Sequence, residues 1–233
     1  DQCGSRGLGD VYKRQPQAYV SVIWKSAPGF DVADWLLCKG NPGGIGYEQG
    51  SGYGSYISLD LLDEMYAKYT SCYIRIPFEL DAGILDSLNS CTLRMRYDDG
   101  FIAYLNGSEI ARKNFNGNPS WDSNASAQNP DQAAVVFENI DISNHSSKFK
   151  DGTNILAIHG LNISTNSSDF LISAELVGEK KSSTSAPAPT WRASTPTDHC
   201  SSAHCAFQRS SGQLRTNAVR LSLKLRTRSA RLA

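Results

Sequence analysis

The stretch from Thr92 to Arg112 (TLRMRYDDGFIAYLNGSEIAR) constrains the fold more than any other part of the chain. Leu93, Met95 and Tyr97 alternate with Arg94 and Arg96, the period of two that gives a strand one apolar and one polar face. Asp99-Gly100 and Asn106-Gly107 follow, and both pairs tolerate the positive φ of tight hairpin turns. The pattern predicts a three-stranded antiparallel meander with turns at Asp99, Gly100, Asn106 and Gly107.

Other segments read the same way. Ala18 to Trp24 (AYVSVIW) and Cys72 to Phe78 (CYIRIPF) are rich in β-branched and aromatic residues. Asn154 to His159 and Phe170 to Leu176 predict two more strands, joined by the polar loop Asn162 to Asp169. Only Leu59 to Tyr69 carries helical spacing, with Leu62, Met65 and Tyr69 on one face. Antiparallel strands with one short helix predict an all-β antiparallel sandwich rather than alternating βαβ units.

Both ends depart from this patterning. Residues 1–15 show neither alternation nor helical spacing, and VYKRQ resembles a translated sequencing-adapter remnant, so a non-native leader is expected there. Residues 182–233 turn to Ser, Thr, Pro and Arg, the composition of a disordered or out-of-frame tail. Residues 16–181 are the expected folding unit. Charge divides similarly: the tail holds 8 Lys and Arg against the single acid Asp198, leaving 15 basic and 22 acidic residues in 1–181. An acidic body argues against nucleic acid as a partner. Apolar runs such as Ile155 to Ile158 are far too short for membrane insertion.

Residues 24–176 resemble the galactose-binding-like (jelly-roll) domain found in large secreted bacterial proteins beside lamin-tail and spore-coat-kinase-like (CotH) domains. The resemblance rests on WKSAPGFDVADW (24–35), GGIGY (43–47), YIRIPF (73–78), YDDGFIAYLNGSEIARKN (97–114), NILAIHGLN (154–162) and SSDFLISAEL (167–176). It implies a jelly-roll sandwich acting as an accessory module on a bacterial secreted or surface protein, binding polysaccharide or docking against other domains. It carries over no ligand, because domains of one fold serve many functions.

Several residues are candidates for chemistry. Tyr53, in a Gly- and Ser-rich loop with Tyr47 and Tyr56, and Trp121, in the polar stretch Asn116 to Asn129, offer rings on which sugars stack. Arg112 and Asn114 resemble an Arg-x-Asn of the family, and Arg112 is suited to a sugar hydroxyl, a carboxylate, or internal pairing with Asp98 or Asp99. Asp98 and Asp169 could serve as hard oxygen ligands from separate loops for a structural calcium. Asp98 and Asp99, being adjacent, should point to opposite faces, which excludes them as a glycosidase pair, and Asp99 is expected to bond its own turn.

His159 shares a strand face with Ile155 and Ala157 and reads as a hydrogen-bonded, partly buried histidine, while Trp24 and Trp35 read as core. No Gly-x-Ser-x-Gly elbow, Ser-His-Asp set or dinucleotide fingerprint occurs. Six cysteines make no clear disulfide framework; a Cys72–Cys91 bridge and buried free thiols both stay open. His199, Cys200, His204 and Cys205 do not match zinc-finger spacing. The expectation is a non-catalytic module that requires no cofactor beyond a structural calcium. The alternative is a spacer from an extracellular enzyme whose catalytic domain lies outside this chain.

Overall fold

The computed structural model describes residues 23–33 and 35–181, together with the backbone of 220–223 and 230–232. Its strands are β1 (Leu36–Cys38), β2 (Gly44–Glu48), β3 (Ile57–Asp60), β4 (Ser71–Leu80), β5 (Leu88–Asp98), β6 (Gly100–Leu105), β7 (Ser108–Lys113), β8 (Glu138–Asp141), β9 (Gly152–Leu161), β10 (Asp169–Lys180), β11 (Arg220–Leu223) and β12 (Ala230–Leu232). Three short helices accompany them: α1 (Leu62–Met65), α2 (Ala82–Ser87) and α3 (Asp131–Ala134). The first sheet runs β1-β12-β4-β9-β6-β7 and the second β3-β2-β10-β5-β8, with β11 beside β10. Among the described residues only β2 and β3 pair in parallel. The chain is an all-β antiparallel sandwich.

The alternation in β5 works as the sequence predicts. Leu93, Met95 and Tyr97 enter the core, where they meet Phe101, Ile158 and Ile172, while Arg94 and Arg96 face outward. Asn106 and Gly107 have φ of 50° and 89°, and they close the β6–β7 hairpin in the geometry that Asn-Gly favours.

The meander itself is not formed. β5 pairs with β10 and β8 in the second sheet, whereas β6 pairs with β7 and β9 in the first. Asp99-Gly100 is therefore a corner at which the chain changes sheets. Gly100 is needed there for close approach, since a Cβ would lie 2.9 Å from the Lys113 carbonyl oxygen.

The predicted helix over Leu59 to Tyr69 is formed only in part, as α1. Its first part is β3, held beside β2, and Leu61 donates to the Gly46 carbonyl. Ala67, at φ 57°, then breaks the helical path. The predicted strand at Ala18 to Trp24 lies outside the described residues up to position 22; Ile23 instead begins a turn closed by Ala27 N–H to Ile23 O at 2.9 Å.

The segment after that turn forms a second core on the outer face of the first sheet, with Trp24, Phe30, Val32 and Trp35 against Tyr73, Ile102, Tyr104 and Ala157. The buried Arg75 fastens it, donating to the carbonyls of Trp24 and Ala27 while lying 5.2 Å from the Phe30 ring centroid. This covering explains why β6 and most of β9 are buried on both faces. Cys38, Cys72 and Cys91 are buried free thiols, so the Cys72–Cys91 bridge does not form.

The leader 1–15 lies outside the described residues, as do 182–219, 224–229 and the His199–Cys205 set. Within the tail, β11 pairs with β10, and β12 inserts between β1 and β4.

The hairpin yields a first prediction. Gly107→Val should lower stability by roughly 1–3 kcal/mol, because a β-branched residue resists positive φ. Its Cβ would also come within 2.9 Å of Ser26 Cβ. Chemical denaturation checks this, and an unchanged midpoint would contradict the turn geometry.

Candidate functional site

One pole of the sandwich gathers the ends of β2, β5, β7 and β9 with the starts of β4, β6 and β10. Asp99 organises it. Its carboxylate accepts the Asn129 N–H at 3.0 Å on Oδ1 and the Ile163 N–H at 2.8 Å on Oδ2. Its carbonyl accepts Asn114 Nδ2 at 2.8 Å, and its own N–H donates to Leu161 O at 3.0 Å. Asp99 thus bonds distant loops, whereas the sequence predicts a bond within its own turn. The reason is that the sheet change turns its carboxylate toward those loops.

Asp98 and Asp99 do not diverge as strand neighbours should. The strand ends at Asp98, and the two carboxyl groups lie close enough to interact. Asp98 Oδ2 accepts the Tyr53 hydroxyl at 2.6 Å, and both side chains are buried. Tyr53 is therefore not an exposed loop-tip ring. It packs with Ala134 and Leu171, and its backbone N–H is held by Glu48. Tyr47 lies in β2, fully buried, with its hydroxyl bonded to the Ser167 carbonyl at 3.0 Å. A Gly- and Ser-rich loop can still close over a core aromatic, and composition alone does not reveal this.

The two carboxylates expected to bind calcium come together, with a third that sequence reasoning missed. One oxygen each from Asp98, Asp131 and Asp169 lies within 4.8 Å of the others. Asp131 begins α3, far from the other two in sequence, and no local signal marked it. No Lys or Arg pairs with the three among the described residues. Burial, then Asp99 and Asp169, push the Asp98 carboxyl above its usual range. Asp169 is raised by burial and by Asp131.

Arg112 and Asn114 are both engaged internally. Arg112 grips Glu109 through two bonds at 2.5 and 2.7 Å and donates to Gly117 O at 2.9 Å, so its carboxylate partner is Glu109 and not Asp98 or Asp99. Asn114 donates its side-chain amide to the Asp99 carbonyl, and its backbone carbonyl accepts Ser126 N–H at 2.7 Å, which makes the residue a structural clamp. His159 is buried on the face of Ile155 and Ala157, but its Nε2 has no hydrogen-bond partner, so the expected bond is missing. Burial holds its pKa down at about 3.

Trp121 is exposed, at 53 %. Tyr69 is equally exposed, at 53 %, and sequence periodicity had placed it on the apolar face of a helix that Ala67 terminates. The two belong to one rim: Ser71 Oγ donates to Trp121 O at 2.5 Å, Thr70 Oγ1 to Ser123 O at 3.0 Å, and Asn162 N–H to Thr70 O at 2.7 Å.

No family model matches the chain, and no curated protein matches it. Two solved structures overlap part of it: an α-L-rhamnosidase of Streptomyces avermitilis complexed with L-rhamnose, at 21% identity and TM-score 0.34, and a native α-L-rhamnosidase from Aspergillus terreus, at 15% and 0.30. Each overlap spans 48% of this chain but only 9% and 12% of the enzymes, respectively. Among the described residues, no helix is long and apolar enough to cross a membrane.

The raised carboxyls have a definite pH sign. A folded-state pKa above the unfolded one means that stability is fullest below the ordinary carboxylate range and is lost as pH rises through the raised value. In the absence of divalent cations, melting temperature should fall between about pH 6.5, above which His159 is neutral whether folded or unfolded, and about pH 8, and Asp98→Asn, which still accepts the Tyr53 hydroxyl, should flatten the fall. A wild-type profile that is flat or rising would contradict the arrangement.

Proposed function

We propose that this chain is a non-catalytic accessory module of a bacterial secreted or surface protein, and that it binds polysaccharide across the rim carrying Tyr69 and Trp121. The observation behind this reading is the pairing of two exposed aromatic side chains on segments tied by hydrogen bonds. Sugar rings present apolar C–H faces, which exposed aromatic rings suit without a deep pocket. Tyr69 takes the place that sequence had given to Tyr53.

A lack of catalysis is supported by the carboxylates. Asp98, one of the three clustered aspartates, is buried beneath Tyr53, out of reach of a polymeric substrate. Their all-oxygen donor set fits a structural calcium, which would bind Asp98, Asp131 and Asp169 and bring the raised carboxyls back toward ionisation.

Calorimetric titration of the full chain with a panel of soluble bacterial and plant polysaccharides tests the reading, with calcium or with chelator. Tyr69→Ala and Trp121→Ala should each weaken binding by about 1 kcal/mol while the melting temperature holds. Calcium should raise the melting temperature, and less so in Asp131→Asn. The absence of heat with every polysaccharide, or equal binding by all three proteins, would favour the spacer reading instead.

A further inference from the structure

We propose that the segment carrying Trp24, Lys25, Phe30 and Trp35 is an acid-sensitive strap, which lifts off the first sheet when the histidine beneath it takes up a proton. His159 sits on β9 between Tyr73 of β4 and Ile102 of β6, on the face that the strap covers. It is 1% exposed, and its ring centroid lies 4.7 Å from that of Tyr73, which in turn lies 4.4 Å from that of Trp24. A protonated imidazole donates from both nitrogens, yet Nε2 meets no acceptor among the described residues.

The charged and titratable groups around it do not favour the proton. Lys25 comes from the strap, 4.2 Å from the Tyr104 ring centroid, and its like charge opposes a second one at His159. Arg75 and Tyr73 belong to the neighbouring β4, and Tyr104 to the neighbouring β6. The acids stand one step away: Asp122 near Tyr73, and Glu109 near Lys25 in the grip of Arg112.

The strap can leave without breaking a strand pairing. Its main chain bonds within itself, from Ser26 and Ala27 to Ile23, from Phe30 to Ala27 and from Trp35 to Val32. Arg75 ties it to the sheet through the Trp24 and Ala27 carbonyls. Lifting it brings water to a charged His159 while β4, β9 and β6 stay paired, and it uncovers Tyr73, Ile102 and Tyr104. Burial holds the His159 pKa down at about 3, so the strap is held fully above about pH 6.5 and loses its hold as pH falls toward the lower value. Opening takes up one proton, and the open fraction therefore rises about tenfold per pH unit across that window.

Amide hydrogen exchange of the full chain from about pH 7 to about pH 4.5, corrected for intrinsic rates, tests this. Protection at Ala27 and Trp35 should fall about tenfold per pH unit below about pH 6.5. Protection at Leu93 and Met95 should not follow, because global unfolding also releases Asp98 and Asp169, whose pH dependence has the opposite sign. His159→Phe keeps a ring against Tyr73 but takes no proton, and it should remove the slope at Ala27 and Trp35. The imidazole NMR signals of the wild-type His159 give a reading that needs no variant, and they should titrate together with strap exchange. Equal loss at strap and core, the same slope in His159→Phe, or a His159 ring that protonates while the strap amides stay protected would each overturn the proposal.

Discussion

The arrangement of the loop pole depends on the Asp99 carboxylate. It sits where the chain leaves the second sheet and enters the first, and it accepts main-chain N–H groups from residues 30 and 64 positions further along. Charge-assisted bonds of this kind are stronger than neutral ones, and a buried N–H left without its acceptor is costly. The Asn129 bond positions the approach to α3 and hence Asp131. The Ile163 bond begins the loop that ends at Asp169. With Asn114 clamped to the Asp99 carbonyl, the segment carrying Trp121 is fixed at both ends.

This dependence explains what sequence could and could not reveal. Alternation in Leu93, Met95 and Tyr97 identified a core face because burial acts locally and with period two. The Asn106-Gly107 turn was legible because positive φ at consecutive residues is itself a local demand. Asp99-Gly100 looked equivalent, yet period-two patterns do not say which sheet a strand joins. A usable sign was present in β6 and β9: GFIAYL and ILAI are apolar at every position, as strands covered on both faces are. The site residues were harder. Tyr53 and Tyr69 exchanged roles because a hydroxyl bond to Asp98 buries one, and a single left-handed residue, Ala67, turns the other outward.

The arginines show how identical side chains are assigned by their surroundings. Arg75, buried without a carboxylate, takes two main-chain carbonyls and thereby holds the segment of Trp24 on the first sheet. Arg94 and Arg112 are neutralised by Glu175 and Glu109. Arg96 lies over the Phe137 and Tyr56 rings and gives Nε to the Val135 carbonyl, and among the described residues its Nη groups meet no acceptor. Carboxyl groups gather instead at the pole, where three aspartates lie together and burial favours the protonated forms of Asp98 and Asp169.

The central claim is that one carboxylate holds the pole together, and amide hydrogen exchange on Asp99→Ala tests it most directly. The account predicts that protection is lost at Asn129 and Ile163 and falls across 114–130 and 162–168, while amides of the β6–β7 hairpin, such as those of Ala103 and Ala111, keep theirs. Loss spread evenly over both sheets, or unchanged protection at Asn129 and Ile163, would contradict it.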